Sequence, residues 1–169
     1  MCCEKRVVAM SVEKVKAYFQ TLGRADDVLE FPVSSATVEL AAQALNVIPA
    51  RIAKTLSFKV GEKCVLIVTA GDAKVDNPKY KAFFGTKAKM LTPDEVVTFT
   101  GHAIGGVCPF GVDNEDVMCY TDVSLRRFDT VYPAAGSSNS AIELTCDELF
   151  SYARSQAWID VCKGWQPQE

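Results

Sequence analysis

The residues most able to do chemistry fall in three short segments. Gly105-Gly106-Val107-Cys108-Pro109-Phe110-Gly111 sets three glycines and a proline around one thiol. Core packing has little use for such a run. Glycines let a main chain come close to a ligand and turn its N–H groups toward it, and Pro109 fixes one φ so that the loop keeps its shape. A loop of this kind suits a carbonyl or phosphate oxygen. Upstream, Lys54 and Thr55 start a strand-like run, and the lysine adds a positive charge. Downstream, Gly136, Ser137, Ser138 and Asn139 form a second small-residue loop ahead of another strand. These elements can converge on one pocket.

Each segment also has a plain structural reading. A lysine at a strand start often lays its stem on apolar surface and keeps its ammonium in water. The 105–111 run can be a tight connection, and the 136–140 run a hydrogen-bonded loop. Asp72 can cap a turn or face the pocket, and Asp76 or Asn77 can cap a helix opened by Pro78. Cys108 and His102, six residues apart, suggest a thiol nucleophile and its base. Nothing in the sequence brings the two side chains together, and His102 reads as a loop-surface residue. No GxSxG elbow is present, and the single histidine has no acidic partner nearby.

The elements that must position these residues are legible from apolar spacing and punctuation. Ser11 caps a helix carrying Val12, Val15, Tyr18, Phe19 and Leu22, which Gly23 ends. A short strand spans 27–31. Thr37 begins a helix that closes at Asn46, so Lys54 falls at a helix-to-strand junction. Strands over 55–60 and 64–70, parted by Gly61 and Glu62, form an antiparallel pair, the second almost wholly apolar and central. Pro78 opens a helix that Gly85 stops, and 87–91 is a strand. Thr92 before Glu95 and Thr145 before Glu148 have capping-box spacing. Further strands are expected at 117–121, 130–132, 141–144 and 158–161, with a turn at 124–127. The sum is an α+β fold, a mixed, largely antiparallel sheet with surrounding helices, in one domain over residues 1–169.

Composition narrows the function. With 169 residues, 49% hydrophobic and 23% charged, the chain can bury a core and a pocket. Its N-terminus lacks the apolar run of a signal peptide, so a cytoplasmic protein with no membrane partner is expected. Seven cysteines, odd in number and scattered, read as free thiols, with Cys2 and Cys3 in a frayed terminus. One histidine and no paired Cys/His spacing argue against a metal, and no cofactor is expected. Net charge is −3, yet residues 51–90 hold nine Lys/Arg against three Asp/Glu, a net of +6. That basic third can face phosphates, with Lys59, Lys79 and Lys81 as candidates, or be merely a solvated face.

The order of segments 41–60, 65–80, 100–111 and 134–144 resembles the YbaK/EbsC family of aminoacyl-tRNA editing deacylases, which includes the insertion domain of prolyl-tRNA synthetases. The resemblance covers roughly Val33 to Leu149 and agrees with the expected fold. It implies hydrolysis of the ester joining a wrong amino acid to the 3′-terminal adenosine of a tRNA, with a tRNA for proline carrying cysteine, alanine or another small residue as the expected substrate. It makes Lys54 the residue most tied to activity. Gly105 and Gly106 would supply oxyanion donors. Thr55, Asp72, Val107, Cys108, Pro109, Phe110, Gly111, Gly136, Ser137, Ser138 and Asn139 would bind substrate. Relatives commonly have serine where this chain has Cys108, so a nucleophilic thiol is not implied, and water is the expected nucleophile. Partners would be aminoacyl-tRNA and a synthetase. Two alternatives stay open: a catalytically silent tRNA-binding or synthetase-associated module, and a cysteine-dependent hydrolase of small esters or thioesters.

Overall fold

The paired apolar runs on either side of Gly61 set the centre of the fold. The computed structural model describes residues 2–103 and 105–165, with side chains from Val12 onward. β2 (Ile52–Val60) and β3 (Lys63–Ala70) pair antiparallel from Ala53↔Ala70 to Val60↔Lys63. β3 is buried from Cys64 through Ala70, which is why it reads as an unbroken apolar run rather than an alternation. β5 (Val117–Asp122) lies parallel to β3, and β9 (Ser155–Ile159) parallel to β5. On the other side, β6 (Thr130–Pro133) runs parallel to β2, and β8 (Leu144–Thr145) antiparallel to β6. The sheet order is therefore β8-β6-β2-β3-β5-β9.

Two short antiparallel ribbons complete the strands. β1 (Leu29–Glu30) pairs with β7 (Ser140–Ala141), and β4 (Lys74–Val75) with β10 (Cys162–Lys163). The mixed α+β arrangement is as expected. Within the six-stranded sheet three of the five pairings are parallel, so antiparallel pairs form a majority only when the ribbons are counted.

Local chemistry explains the helices. α1 (Cys2–Thr21) is longer than expected: it runs through Ser11 without a break, and Cys2 and Cys3 are helical rather than frayed. Val15 and Phe19 on it are fully buried. α2 (Val38–Leu45) starts where the Leu40 N–H donates to Thr37 Oγ1 at 3.1 Å, and stops at Asn46 in the left-handed region. α3 (Asn77–Phe84) is capped by Asp76, which accepts from the Lys79 N–H, and ends at Gly85. α4 (Pro93–Thr100) and α5 (Cys146–Tyr152) each begin with a complete capping box, Thr92 with Glu95 and Thr145 with Glu148.

Several boundaries differ from expectation, each through tertiary pairing. Residues 87–91 form no strand. Met90 makes one bridge to Phe58, and the Lys59 and Leu91 N–H groups donate to Lys89 O and Ser57 O. The strand expected at 141–144 is split because Ala141 pairs with β1 and Leu144 with β6. Of the one expected at 158–161, Trp158 and Ile159 close β9, while Asp160 and Val161 link it to β10.

The main core gathers β3, β5 and the helices around Phe19, Leu66, Ile67, Phe110, Leu125 and Leu149, and a smaller cluster of Ala41, Ala42 and Ile52 holds α2 to β2. Among the described residues no helix is long and apolar enough to cross a membrane. Thr145→Ala removes the oxygen that accepts from the Glu148 N–H at 3.1 Å. It should lower stability by about 1 kcal/mol, read as a shift in urea midpoint at constant slope, while Thr145→Ser stays close to the parent.

Candidate active site at the Lys54 cavity

A cavity of about 220 Å³ opens between the first half of β2, the N-terminal end of α2, the 90–96 segment and the Gly105–Val107 loop. Lys54, Thr55, Gly105 and Val107, all expected at a site, line it together. They come from two segments fifty residues apart. The remaining wall is mostly apolar: Val38, Ala41, Leu91 and Val96 give it a greasy interior, while Met90 is 60% exposed at its edge.

Lys54 is the charged group of this cavity. It sits three residues into β2, not at the junction before it. Its side chain is partly buried, and its Nζ donates to the main-chain oxygens of Ala73 and, at 3.5 Å, Gly71. An ammonium has three donors, so one remains for a ligand. Burial pushes the Lys54 pKa below the ordinary lysine value, with neighbouring Cys162 and Asp72 opposing the shift. At the next residue of β2, Thr55 Oγ1 is buried with no hydrogen-bond partner. A buried hydroxyl left unpaired costs roughly 1–3 kcal/mol, a cost that a polar ligand atom removes.

The glycine loop is placed by close approach. A Cβ built on Gly106 would stand 2.6 Å from Ser137 Cα and 2.7 Å from Ser137 N, distances that main-chain atoms cannot yield. Gly105 has φ +94 and lies against Ala36 and Ser138. The Gly106 N–H donates to Ala103 O at 3.0 Å, so the turn itself uses one of the two expected oxyanion donors. Val107 N–H, by contrast, makes no hydrogen bond among the described residues.

The 136–140 loop acts mainly as a brace. Ser137 Oγ bonds Asn139 Oδ1 and Ser140 Oγ, both at 2.8 Å. Asn139 donates through its side chain to Phe31 O and accepts through its main chain from the Phe31 N–H, while Ser138 O accepts from the Ser35 N–H. The loop thereby holds residues 31–35 so that Ser35 to Val38 reach the cavity, yet of the loop only Ser140 lines it. Gly136, Ser137, Ser138 and Asn139 stand behind the wall.

Other expected residues lie elsewhere. The Asp72 carboxylate is held by Arg127 through two hydrogen bonds, 2.6 and 3.0 Å, and does not line the cavity. Pro109 and Gly111 border a separate hollow with Lys14, Tyr18 and Arg154. Phe110 is fully buried against Phe19. His102 is buried too, not a loop-surface residue, and it does meet the thiol: Cys108 Sγ is 3.6 Å from His102 Nε2. That same Nε2 is 2.9 Å from Phe110 O, an acceptor only, so the nitrogen carries a proton and cannot take one from the thiol. Burial pushes the Cys108 thiol up to about 12 and the His102 pKa down. The pair is a packed, neutral contact beneath the loop.

Two lysines of the basic third are neutralised in place. Lys59 pairs with Glu95 at 3.4 Å, and Lys79 with Asp160 at 3.0 Å. The wall residues Val38, Met90, Leu91 and Val96 were not anticipated as site residues. Their local sequence signals only a helix, a strand and a cap, and it is the packing of α2 and α4 and the Met90–Phe58 bridge that bring them to the cavity.

The sequence profile of the aminoacyl-tRNA editing domain matches residues 33–152, a span that includes every cavity-lining segment. The chain is 56% identical over 158 residues, 93% of its length and all of the relative's, to the uncharacterized protein YwhH of Bacillus subtilis. It is 31% identical over 93 residues to a proline–tRNA ligase of Thermotoga sp. strain RQ2, matching 54% of this chain but spanning only 16% of the ligase. Among solved structures, one provisionally described as a trans-editing enzyme for prolyl tRNA synthetase superposes with a TM-score of 0.82 at 30% identity, covering 91% of this chain and 98% of that one. With fold, cavity and profile coinciding, the chain belongs to the aminoacyl-tRNA editing domain family.

Proposed function

We propose that this protein is a free-standing deacylase that hydrolyses the ester of a mischarged aminoacyl-tRNA, a tRNA for proline carrying cysteine, alanine or a similarly small amino acid. The whole of residues 1–169 would act as one editing domain, in the cytoplasm where charged tRNA is found. The observation that carries the reading is a partly buried lysine at a small, mostly apolar cavity that a glycine loop also lines. A volume of about 220 Å³ falls below the roughly 300–1,000 Å³ of drug-sized sites, so it suits a small aminoacyl group, with the adenosine left at the mouth.

In this reading water attacks the ester carbonyl carbon, negative charge builds on the carbonyl oxygen, and the bond to the ribose oxygen then breaks, that oxygen taking a proton. Val107 N–H faces the developing oxyanion and Thr55 Oγ1 bonds a polar atom of the aminoacyl group. Lys54 places its positive charge beside the reacting ester, and its lowered pKa eases transfer of a proton to the leaving oxygen. Cys108 and the brace at 136–139 act by fixing the loop rather than by touching substrate.

Purified protein should deacylate tRNA charged with Cys or Ala faster than tRNA charged with Pro in a panel of Cys, Ala, Ser and Pro esters. Binding without hydrolysis of any of them would indicate a silent tRNA-binding module instead. Lys54→Ala should retain the fold and lose ~10²–10³ in rate, the usual effect of removing one electrostatic contact to a transition state. Turnover near that of the parent would remove Lys54 from the mechanism. Cys108→Ser should keep most activity, and iodoacetamide at pH 8 should leave Cys108 unmodified until the protein is unfolded, because a buried thiol with a pKa of about 12 offers almost no thiolate. A dead serine variant together with a trapped acyl-enzyme would establish thiol chemistry.

A further inference from the structure

Residues 77–91 carry four lysines and no carboxylate. Lys79 is occupied by Asp160 and by Cys162 O. Lys81, Lys87 and Lys89 are exposed and make no ion pair among the described residues. In the same stretch Phe83 is 50% exposed, although it is the kind of side chain that folding ordinarily covers. Its ring is fixed by edge contacts to Phe84 at 4.8 Å and Tyr120 at 5.5 Å. The segment then runs past Lys89, whose main-chain oxygen is tied to β2, to Met90 at the edge of the Lys54 cavity. Unpaired positive charge, an open aromatic ring held in place, and chain continuity with the cavity thus occur together.

A double helix offers phosphates but hides its bases, and a protein surface offers no regular negative charge. A single strand offers both phosphates and exposed base faces, which stack on aromatic rings whatever their sequence. We propose that the strip from Lys81 to Met90 docks the single-stranded 3′ end of an RNA, with Phe83 stacking on an unpaired base and Lys81, Lys87 and Lys89 meeting phosphates. Because the strip ends at Met90 on the cavity edge, a strand bound along it with its 3′ end at Met90 brings the terminal ribose to the cavity. This rests on the deacylase reading and names the surface by which that site receives its substrate.

The test uses the full-length protein and a fluorescent RNA hairpin with a four-nucleotide 3′ overhang, beside a blunt-ended control. Three phosphate contacts to a single strand give a slope of roughly −2 in log K against log salt. Lys81→Glu with Lys87→Glu should remove about 1.4 of that, whereas Lys79→Gln, at a lysine already paired, should leave it unchanged. Phe83→Leu keeps the apolar contact but loses the π-face and should weaken overhang binding by about 5- to 100-fold, while Phe83→Tyr restores it. Hydrolysis of a minimal aminoacyl-adenosine ester should be the same in all these variants. Equal affinity for blunt and overhang RNA, or parental slope and affinity in the double glutamate variant, would overturn the strip as an RNA site. If instead the wild-type protein hydrolyses neither tRNA nor the minimal ester, the deacylase reading fails while the hairpin measurements still decide the docking surface.

Discussion

The close approach of two loops, at Gly106 and Ser137, is the constraint on which the cavity depends. No side chain fits between these main chains. Because they touch, the 105–107 loop is held in place, and Val107 lines the same cavity as Lys54. The 136–140 loop, pinned against Gly106 on one side, extends its hydrogen bonds on the other to residues 31–35, which lead into α2. One backbone contact therefore sets three walls. Beneath it, the buried Cys108 and His102 and the Phe19–Phe110 ring contact fill the space that would otherwise let the loop sink. Buried, uncharged groups suit that task, since an ionised thiol or imidazolium there would carry a large desolvation cost.

Much of this architecture is legible in the sequence, and what is legible shares a physical origin. Thr37, Thr92 and Thr145 announce helix starts because a cap is a local hydrogen bond between residues a few positions apart. The β2–β3 hairpin announces itself through an apolar run, a Gly-Glu turn and a second apolar run. Residues 87–91 show the limit. Their strand-like composition is real, but neighbours allow only a bridge at Met90. Likewise, the C-terminal strands mix parallel and antiparallel partners that no local pattern specifies.

The site divides in the same way. Lys54, Thr55, Gly105 and Val107 carry chemical signals in their types, and they do meet at the cavity. Asp72 carries an equally plausible signal, yet its carboxylate belongs to Arg127, fifty-five residues away, a pairing that sequence spacing does not encode. His102 sits among glycines and looks exposed on composition alone, but the loop folds inward and buries it. Lys59 and Lys79 read as free charge until Glu95 and Asp160 close on them. Type reveals which groups can react, whereas solvent access and partner choice are properties of the folded surface.

The cavity separates two kinds of residue with different tolerances to change. Its polar equipment comes from main-chain groups, the Lys54 ammonium held by Ala73 O and Gly71 O, and the unpaired Thr55 hydroxyl. Its volume comes from aliphatic side chains at Val38, Leu91 and Val96, with Met90 at the rim, none of which bonds to that equipment. Exchanging one aliphatic residue for another of similar bulk disturbs a core only modestly. Such a design is evolvable: mutation can enlarge or shrink the bowl, and so exchange one small guest for another, without dismantling the machinery that acts on it.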